Sequence, residues 1–261
     1  MATVNLTLRG APGNISFRSF ASAASNAVAI LEDLDLAISH EPKGSLEWVV
    51  TKLATGSLSV TIESRSLIKT KNFGAETAGA FVFGLEKIEK EGSSPPYLSE
   101  FGINNAKKLA ALIGHNGVAG IHVSDEEKSA DISHVAFDNI RKITEIREAA
   151  IGSVEGTIET LSIHGKPKCI IYQSRTRKAV TCSSVREAWF EKIKDVMGKR
   201  VIVSGSIHYN AKGEPQRVQL ENIRPVRDRA ELPTIEELGG SDPGFTGELS
   251  TEDYIKLIRN A

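Results

Sequence analysis

Between residues 151 and 226, thirteen lysines and arginines stand against seven acids, a local excess of positive charge in a chain whose formal total is −1. Lys168, Tyr172, Arg175, Arg177 and Lys178 fall within eleven consecutive positions of that segment. Cations that follow phosphates, beside an aromatic ring that can stack on a base, are the ingredients of single-stranded nucleic-acid binding. The cations are plentiful, but Tyr172 and Tyr209 are the only aromatic residues on strands expected there. Phosphate contact is therefore better supplied than stacking. The other partner for a basic surface is the chain's own acidic tail.

That tail, residues 227–261, carries a second kind of chemistry. Thr234-Ile235-Glu236-Glu237 and Ser250-Thr251-Glu252-Asp253 each place an acid three positions after a capping hydroxyl, the pattern of a helix start. Tyr254, Ile255, Leu257 and Ile258 follow the second, and Arg259 closes it. So short a helix does not hold itself together in water and needs a surface for its apolar side. Leu232, Leu238, Tyr254, Ile255, Leu257, Ile258 and Arg259 are the expected anchors on a protein partner.

Other constellations dissolve on inspection. His164, Cys169, Cys182 and His208 match neither a zinc finger nor a knuckle, and two core thiols with two surface histidines explain them. His40, His115, His122 and His134 have no carboxylate at a recognisable offset. The chain contains no phosphate-binding G-x-x-x-x-G-K-[ST], no G-x-G-x-x-G and no G-x-S-x-G. Gly152-Ser153-Val154-Glu155-Gly156 lies within an expected strand, away from any helix N-terminus. No catalytic, metal or cofactor site is expected, and the chain reads as non-enzymatic.

The elements that must position these residues fall into three parts. In residues 1–148, Val4, Leu6 and Leu8 alternate as a strand, and Phe17 to Ile38 follow helical steps after Ser16. Leu46-Trp48-Val50 and Leu58-Val60-Ile62 form a hairpin around Ala54-Thr55-Gly56. Helices are expected near 75–91, 103–113 and 137–147, with a strand pair at Val118–Val123 and Asp131–Val135. The order β-α-β-β-α-α-β-β-α favours an antiparallel sheet covered by helices. Residues 151–226 read differently. Strands at Gly152–Ile163, Lys168–Gln173 and Arg177–Cys182 precede a helix over Val185–Met197, and strands at Lys199–Tyr209 and Gln216–Ile223 follow it. Three strands, one helix, then two strands is the connectivity of a small OB-type barrel, and an SH3-like barrel is the rival. The fold class is thus α+β, followed by a five-strand barrel and an extended tail.

At 261 residues the chain can bury two ordinary cores. No signal-peptide pattern and no apolar run long enough for a membrane span is present, so a cytoplasmic protein with reduced thiols is expected.

The layout resembles a group of uncharacterised bacterial proteins. The resemblance rests on the Trp48 hairpin followed by Gly56-Ser57, the Gly152–Gly156 segment, the G-K-R-V-x-V-x-G strand of Gly198–Gly205, and the Leu232–Leu238 and Tyr254–Arg259 tail segments. Its tail is similar in style to those of bacterial antitoxins, which become ordered on a toxin. The resemblance implies a protein-binding role for the tail. Nucleic-acid binding by the barrel, or an enzyme with a site in the first 148 residues, are the other two readings.

Overall fold

A computed structural model describes residues 1–11, 13–54, 58–69, 71–163, 165–226, 242 and 244–259. The fold is mixed α+β, with two five-stranded sheets. Residues Met1–Pro225 form one compact unit and Val226–Ala261 a second.

The first sheet contains β1 (Thr3–Arg9), β2 (Leu46–Ala54), β3 (Leu58–Ser66), β4 (Gly120–Ser124) and β5 (Ser129–Ile132), in the order β2-β3-β1-β4-β5. Every pairing in it is antiparallel. Alternation on β1 sends Val4, Leu6 and Leu8 into the core and leaves Asn5 and Thr7 on the opposite face. There Thr61 Oγ1 donates to Asn5 at 2.7 Å, and Thr7 and Ser59 share a bond at 2.9 Å. One face of the sheet is thus polar. The other is covered by α1 (Phe17–Ser39), α2 (Gly74–Glu91), α3 (Glu100–Ala110) and α4 (His134–Thr144), whose apolar stripes share one core with the strands.

Two acids in the apolar stripe of α1 have structural employment. Asp35 accepts from the Ser45 and Leu46 backbone N–H groups at 2.6 and 2.9 Å and from the Ser45 hydroxyl at 2.6 Å. It thereby ties the end of α1 to the start of β2. Asp33 accepts from Ser99 N–H at 2.8 Å and the Ser99 hydroxyl at 2.5 Å, at the start of α3. A Cβ at position 102 would lie 2.3 Å from Asp33 Oδ2, so this close approach requires Gly102. Burial pushes the Asp33 carboxyl up to about 6, against the hydrogen bonds from Ser99 and Gly102 that favour its charged form.

The second sheet contains β6 (Ile146–Ser162), β7 (Lys168–Gln173), β8 (Ala179–Ser183), β9 (Arg200–Asn210) and β10 (Pro215–Pro225). Its pairings close on themselves in the order β10-β8-β7-β6-β9, with β8 and β10 parallel. Val154, Ile158, Ile171, Val180, Val203, Ile207 and Val218 fill a core separate from that of the first sheet. At Gly156 a Cβ would lie 2.1 Å from the Tyr172 carbonyl oxygen, so the bend anticipated there is a close strand crossing. A 3-10 turn (Glu187–Trp189) and α5 (Phe190–Asp195) connect β8 to β9.

Several boundaries differ from the sequence reading. β6 starts at Ile146, six residues before the expected Gly152, because it pairs with β9 along its whole first half. Residues 146–151 are exposed, so their strand is held by the ladder and leaves no trace in the hydrophobic pattern. The helix expected at 137–147 is α4, which Ser133 caps by accepting from Val135 N–H at 3.1 Å. That cap ends the preceding strand at Ile132, short of Val135. The helix expected over Val185–Met197 holds only the short turn and α5. Ser99 caps α3 and moves its start forward to Glu100. The turn at 55–57 lies outside the described residues. No described helix is long and apolar enough to cross a membrane.

Within the Met1–Pro225 unit, a network of polar contacts joins the two sheets. Tyr97 N–H donates to the Arg177 carbonyl at 2.9 Å, and Asn210 Nδ2 donates to the Ile143 carbonyl at 3.2 Å. Glu100, at the start of α3, accepts from Thr181 of β8 at 3.3 Å and Arg217 of β10 at 3.2 Å.

Candidate functional site

The structure disperses the five basic-segment residues read from the sequence. Lys168 opens β7 and is exposed, and Arg175 is exposed in the β7–β8 turn. Arg177 occupies the same turn in a left-handed conformation, φ 56°, with its carbonyl committed to Tyr97. Lys178 is mostly buried and pairs with Glu214 at 2.5 Å. Burial alone would raise the Glu214 carboxyl, but Lys178, Asn210 and the Ser94 N–H outweigh it and hold it below the usual carboxylate range.

Tyr172 is the largest departure. It is only 4% exposed, which leaves no ring face for a base. Its phenol is pushed upward first by burial and then by the Asp33 and Glu159 carboxylates. Glu159 lies against His40 at 3.2 Å, and burial raises its carboxyl while His40 and Arg177 oppose the rise. Asp33 of α1 and His40 just past its end therefore meet Glu159, Tyr172 and Arg177 from the barrel. This cluster is a joint: it keeps a phenol and two carboxyls biased toward their neutral forms inside an intramolecular contact. Hydrophobic periodicity could not reveal it, although Asp33 and Asp35 inside the apolar run of α1 were a visible irregularity.

One groove on the barrel has a volume of about 600 Å³. Lys166, Lys168 and Arg217 line it together with the hydroxyls of Thr181, Ser183 and Ser184. Glu100 enters one side as the counter-ion of Arg217. No aromatic residue lines the groove. Its donors suit an anionic oxygen such as a phosphate, and it provides no platform for a base.

The cysteines are buried opposite each other on β7 and β8 and are not bonded. Contact with Cys169 and burial push the Cys182 thiol up, so the thiolate that metal binding requires is disfavoured. Among the described residues no group of three or more His, Cys, Asp and Glu side chains is placed to hold a metal ion. His164 lies outside the described residues.

In the tail, Leu232 and Leu238 lie outside the described residues. The expected second helix is α6 (Thr251–Arg259). Its cap is reciprocal in side chain and backbone: Ser250 Oγ accepts from Asp253 N–H at 3.2 Å and donates to the Asp253 carboxylate at 2.7 Å. Tyr254 packs edge-on against Phe245 with ring centres 5.4 Å apart. Ile255, Leu257 and Ile258 are 43%, 58% and 59% exposed, and Arg259 is exposed beside them. The helix thus forms with most of its apolar side facing outward.

No protein-family model, no curated protein and no solved structure matches this chain.

Proposed function

We propose that this chain is a non-enzymatic binding protein that engages a protein partner through its C-terminal segment, in the manner of a bacterial antitoxin. The observation that carries this reading is α6, a capped amphipathic helix with Ile255, Leu257 and Ile258 exposed. An apolar helix side laid into a partner's groove is a common mode of recognition, and Tyr254 stands three and four residues before Leu257 and Ile258, as Ile255 stands three before Ile258. Leu232 and Leu238 extend the same reading toward the start of the tail. Cytoplasmic location belongs to the same proposal. In this proposal the second sheet is an OB-type barrel, a reading supported by the parallel β8–β10 pairing and by the helix between β8 and β9.

Copurification from the source cell, with and without residues 230–261, tests the reading. Ile255→Asp and Ile258→Asp are the sharper variants, because exposed positions leave the Met1–Pro225 unit intact. Loss of one stoichiometric partner in all three is expected; retention of every partner by the truncated chain would overturn the proposal.

The groove on the barrel favours a second reading, binding of single-stranded nucleic acid through phosphate. Lys166, Lys168 and Arg217 would then be its contacts, with Arg175 on the neighbouring turn. Affinity for an oligonucleotide should fall with salt, and Lys166→Ala with Lys168→Ala should reduce the log–log salt slope by about 1.4. A salt-insensitive or absent mobility shift at low ionic strength would remove this reading.

A further inference from the structure

The first sheet ends on one side in β2, which no other described strand pairs beyond β3. This edge is nine residues long and carries apolar side chains in the open: Val50 is 55% exposed and Leu53 is 63% exposed. Beside it, between β2 and α1, runs an apolar groove of about 450 Å³. Trp48 and Val50 form one wall, Val60 and Ile62 the floor, and Ser25 and Val28 of α1 the other wall. The groove and the edge make one continuous surface.

We propose that this surface is the interface of a two-fold homodimer, in which β2 pairs antiparallel with β2 of a second copy and the two sheets become one of ten strands. The inference is independent of the tail reading. It rests on a register that makes the edge complementary to itself. On β2, Val50 opposes Ile62 and Lys52 opposes Thr61, so Thr51 is an extra, bulged residue outside the alternation. With Thr51 omitted from the count, a two-fold axis at Val49 sets Glu47 of one copy opposite Lys52 of the other. The same axis sets Leu46 opposite Leu53 and Trp48 opposite Val50 on the groove side. Val49 meets its own symmetry mate. Opposite charges and apolar pairs directly across two strands are the favourable cross-strand combinations.

The helix beside the edge repeats the pattern. Arg18, Ala21, Ser25, Val28 and Glu32 recur at three- and four-residue steps on α1, and all but the half-buried Val28 are exposed. Two copies of α1 crossing antiparallel about Ser25 bring Arg18 of each against Glu32 of the other. Small side chains lie between these charges, which permits close approach. Among the described residues, Arg18, Glu32, Glu47 and Lys52 form no ion pair within 4.0 Å in the single chain. Within the chain Glu47 does stand across from Arg65 of β3, beyond ion-pair distance, so on both elements a two-fold axis adds a charge partner that the single chain does not bring within 4.0 Å. A partner of unrelated sequence has no reason to satisfy both.

Sedimentation equilibrium of the full chain tests the proposal. A concentration-dependent monomer–dimer equilibrium is expected. Glu47→Lys alone and Lys52→Glu alone should each weaken it roughly tenfold, since each reversal places like charges in two symmetry-related pairs. The double swap should restore it. Val49→Cys should form an intermolecular disulfide with its own mate under mild oxidation, whereas Val50→Cys, which faces Trp48, should not. The two native thiols are buried and give little background. Unchanged thermal unfolding of the exposed-site variants separates lost association from lost folding. A bulge and a lysine are also devices that repel other strands. A chain that stays monomeric at every attainable concentration, or a dimer indifferent to both single reversals and to Val49→Cys, would overturn the proposal.

Discussion

The two sheets of this protein have five strands each and treat their edges in opposite ways. The barrel joins its last strand to its third through the parallel β8–β10 pairing, so no strand is left with an unpaired side. The first sheet has edges at β2 and β5, and β2 leaves its outer row of hydrogen-bonding groups without a strand partner among the described residues and two apolar side chains open to solvent. Closure makes the barrel self-sufficient in backbone bonding and directs its remaining contacts outward through side chains. Among its thirteen cations, Lys178, Arg217 and Arg177 then face acids within the chain, at Glu214, at Glu100 and at the joint around Tyr172. The open sheet keeps its unmet bonding in the backbone, where a second strand can satisfy it. The lesson is that a charged strand sequence does not by itself mark a free surface.

That contrast can be broken in graded steps. If the barrel surface around Tyr172 is a structural joint, Tyr172→Ala should destabilise the protein by about 3–5 kcal/mol in chemical denaturation, as deletion of a buried aromatic side chain does. Tyr172→Phe should leave both stability and oligonucleotide binding nearly unchanged. A surface role would reverse that order, with little loss of stability and a large loss of binding.

Next in size is a pH effect from the same joint. Asp33 holds its proton to about pH 6 in the folded chain, above its ordinary value of 3.8. Its contribution to stability is therefore fully present below the unfolded value and is lost as pH rises through about 6. Relative to Asp33→Asn, the wild type should lose roughly 2–3 kcal/mol between pH 4 and pH 7, measured as the difference between two denaturation series. A flat difference would mean that Asp33 is more open to water than its position indicates.

Glu214 runs the other way. Its carboxyl is held low, so its contribution is present above the unfolded value and disappears as pH falls through the folded one. Glu214→Gln should cost about 1–2 kcal/mol at pH 7 by leaving Lys178 without its partner, and should cost less in acid. Smallest of all is Asp131, which is held low mainly by the hydrogen bond from His122 but is well exposed on the open face of the first sheet. Asp131→Asn should change stability by less than about 0.5 kcal/mol. The spread from Tyr172 to Asp131 measures how much more the joint matters than the polar sheet face.

Much of the fold was legible because it follows from periodicity. The alternation of Val4, Leu6 and Leu8, the long stripe of α1 and the five-strand rhythm after residue 151 each carry their own signal. Residues 146–151 carried none, since a strand exposed on both faces has no reason to alternate. For the candidate site, Ser250 and Asp253 announced the α6 cap by their spacing, whereas Ile255, Leu257 and Ile258, expected to need a covering surface, are exposed. Lys168 and Arg175 stayed accessible, while Tyr172 and Lys178 did not, because nothing local distinguishes an outward strand residue from one that a distant segment covers.

Local sequence, then, determined which segments became strands and helices, where α1, α2 and α6 start, and that the tail carries an amphipathic helix. Hydrogen-bonding caps and hydrophobic periods act over a few residues and can be read there. Tertiary structure alone decided that Asp33 would hold the α3 cap residue Ser99, 66 positions away, that Tyr172 would be buried beside it, and that β2 would be one of the sheet's two edges. Those outcomes depend on which distant surfaces exclude water from each other, and that is a property of the assembled layers.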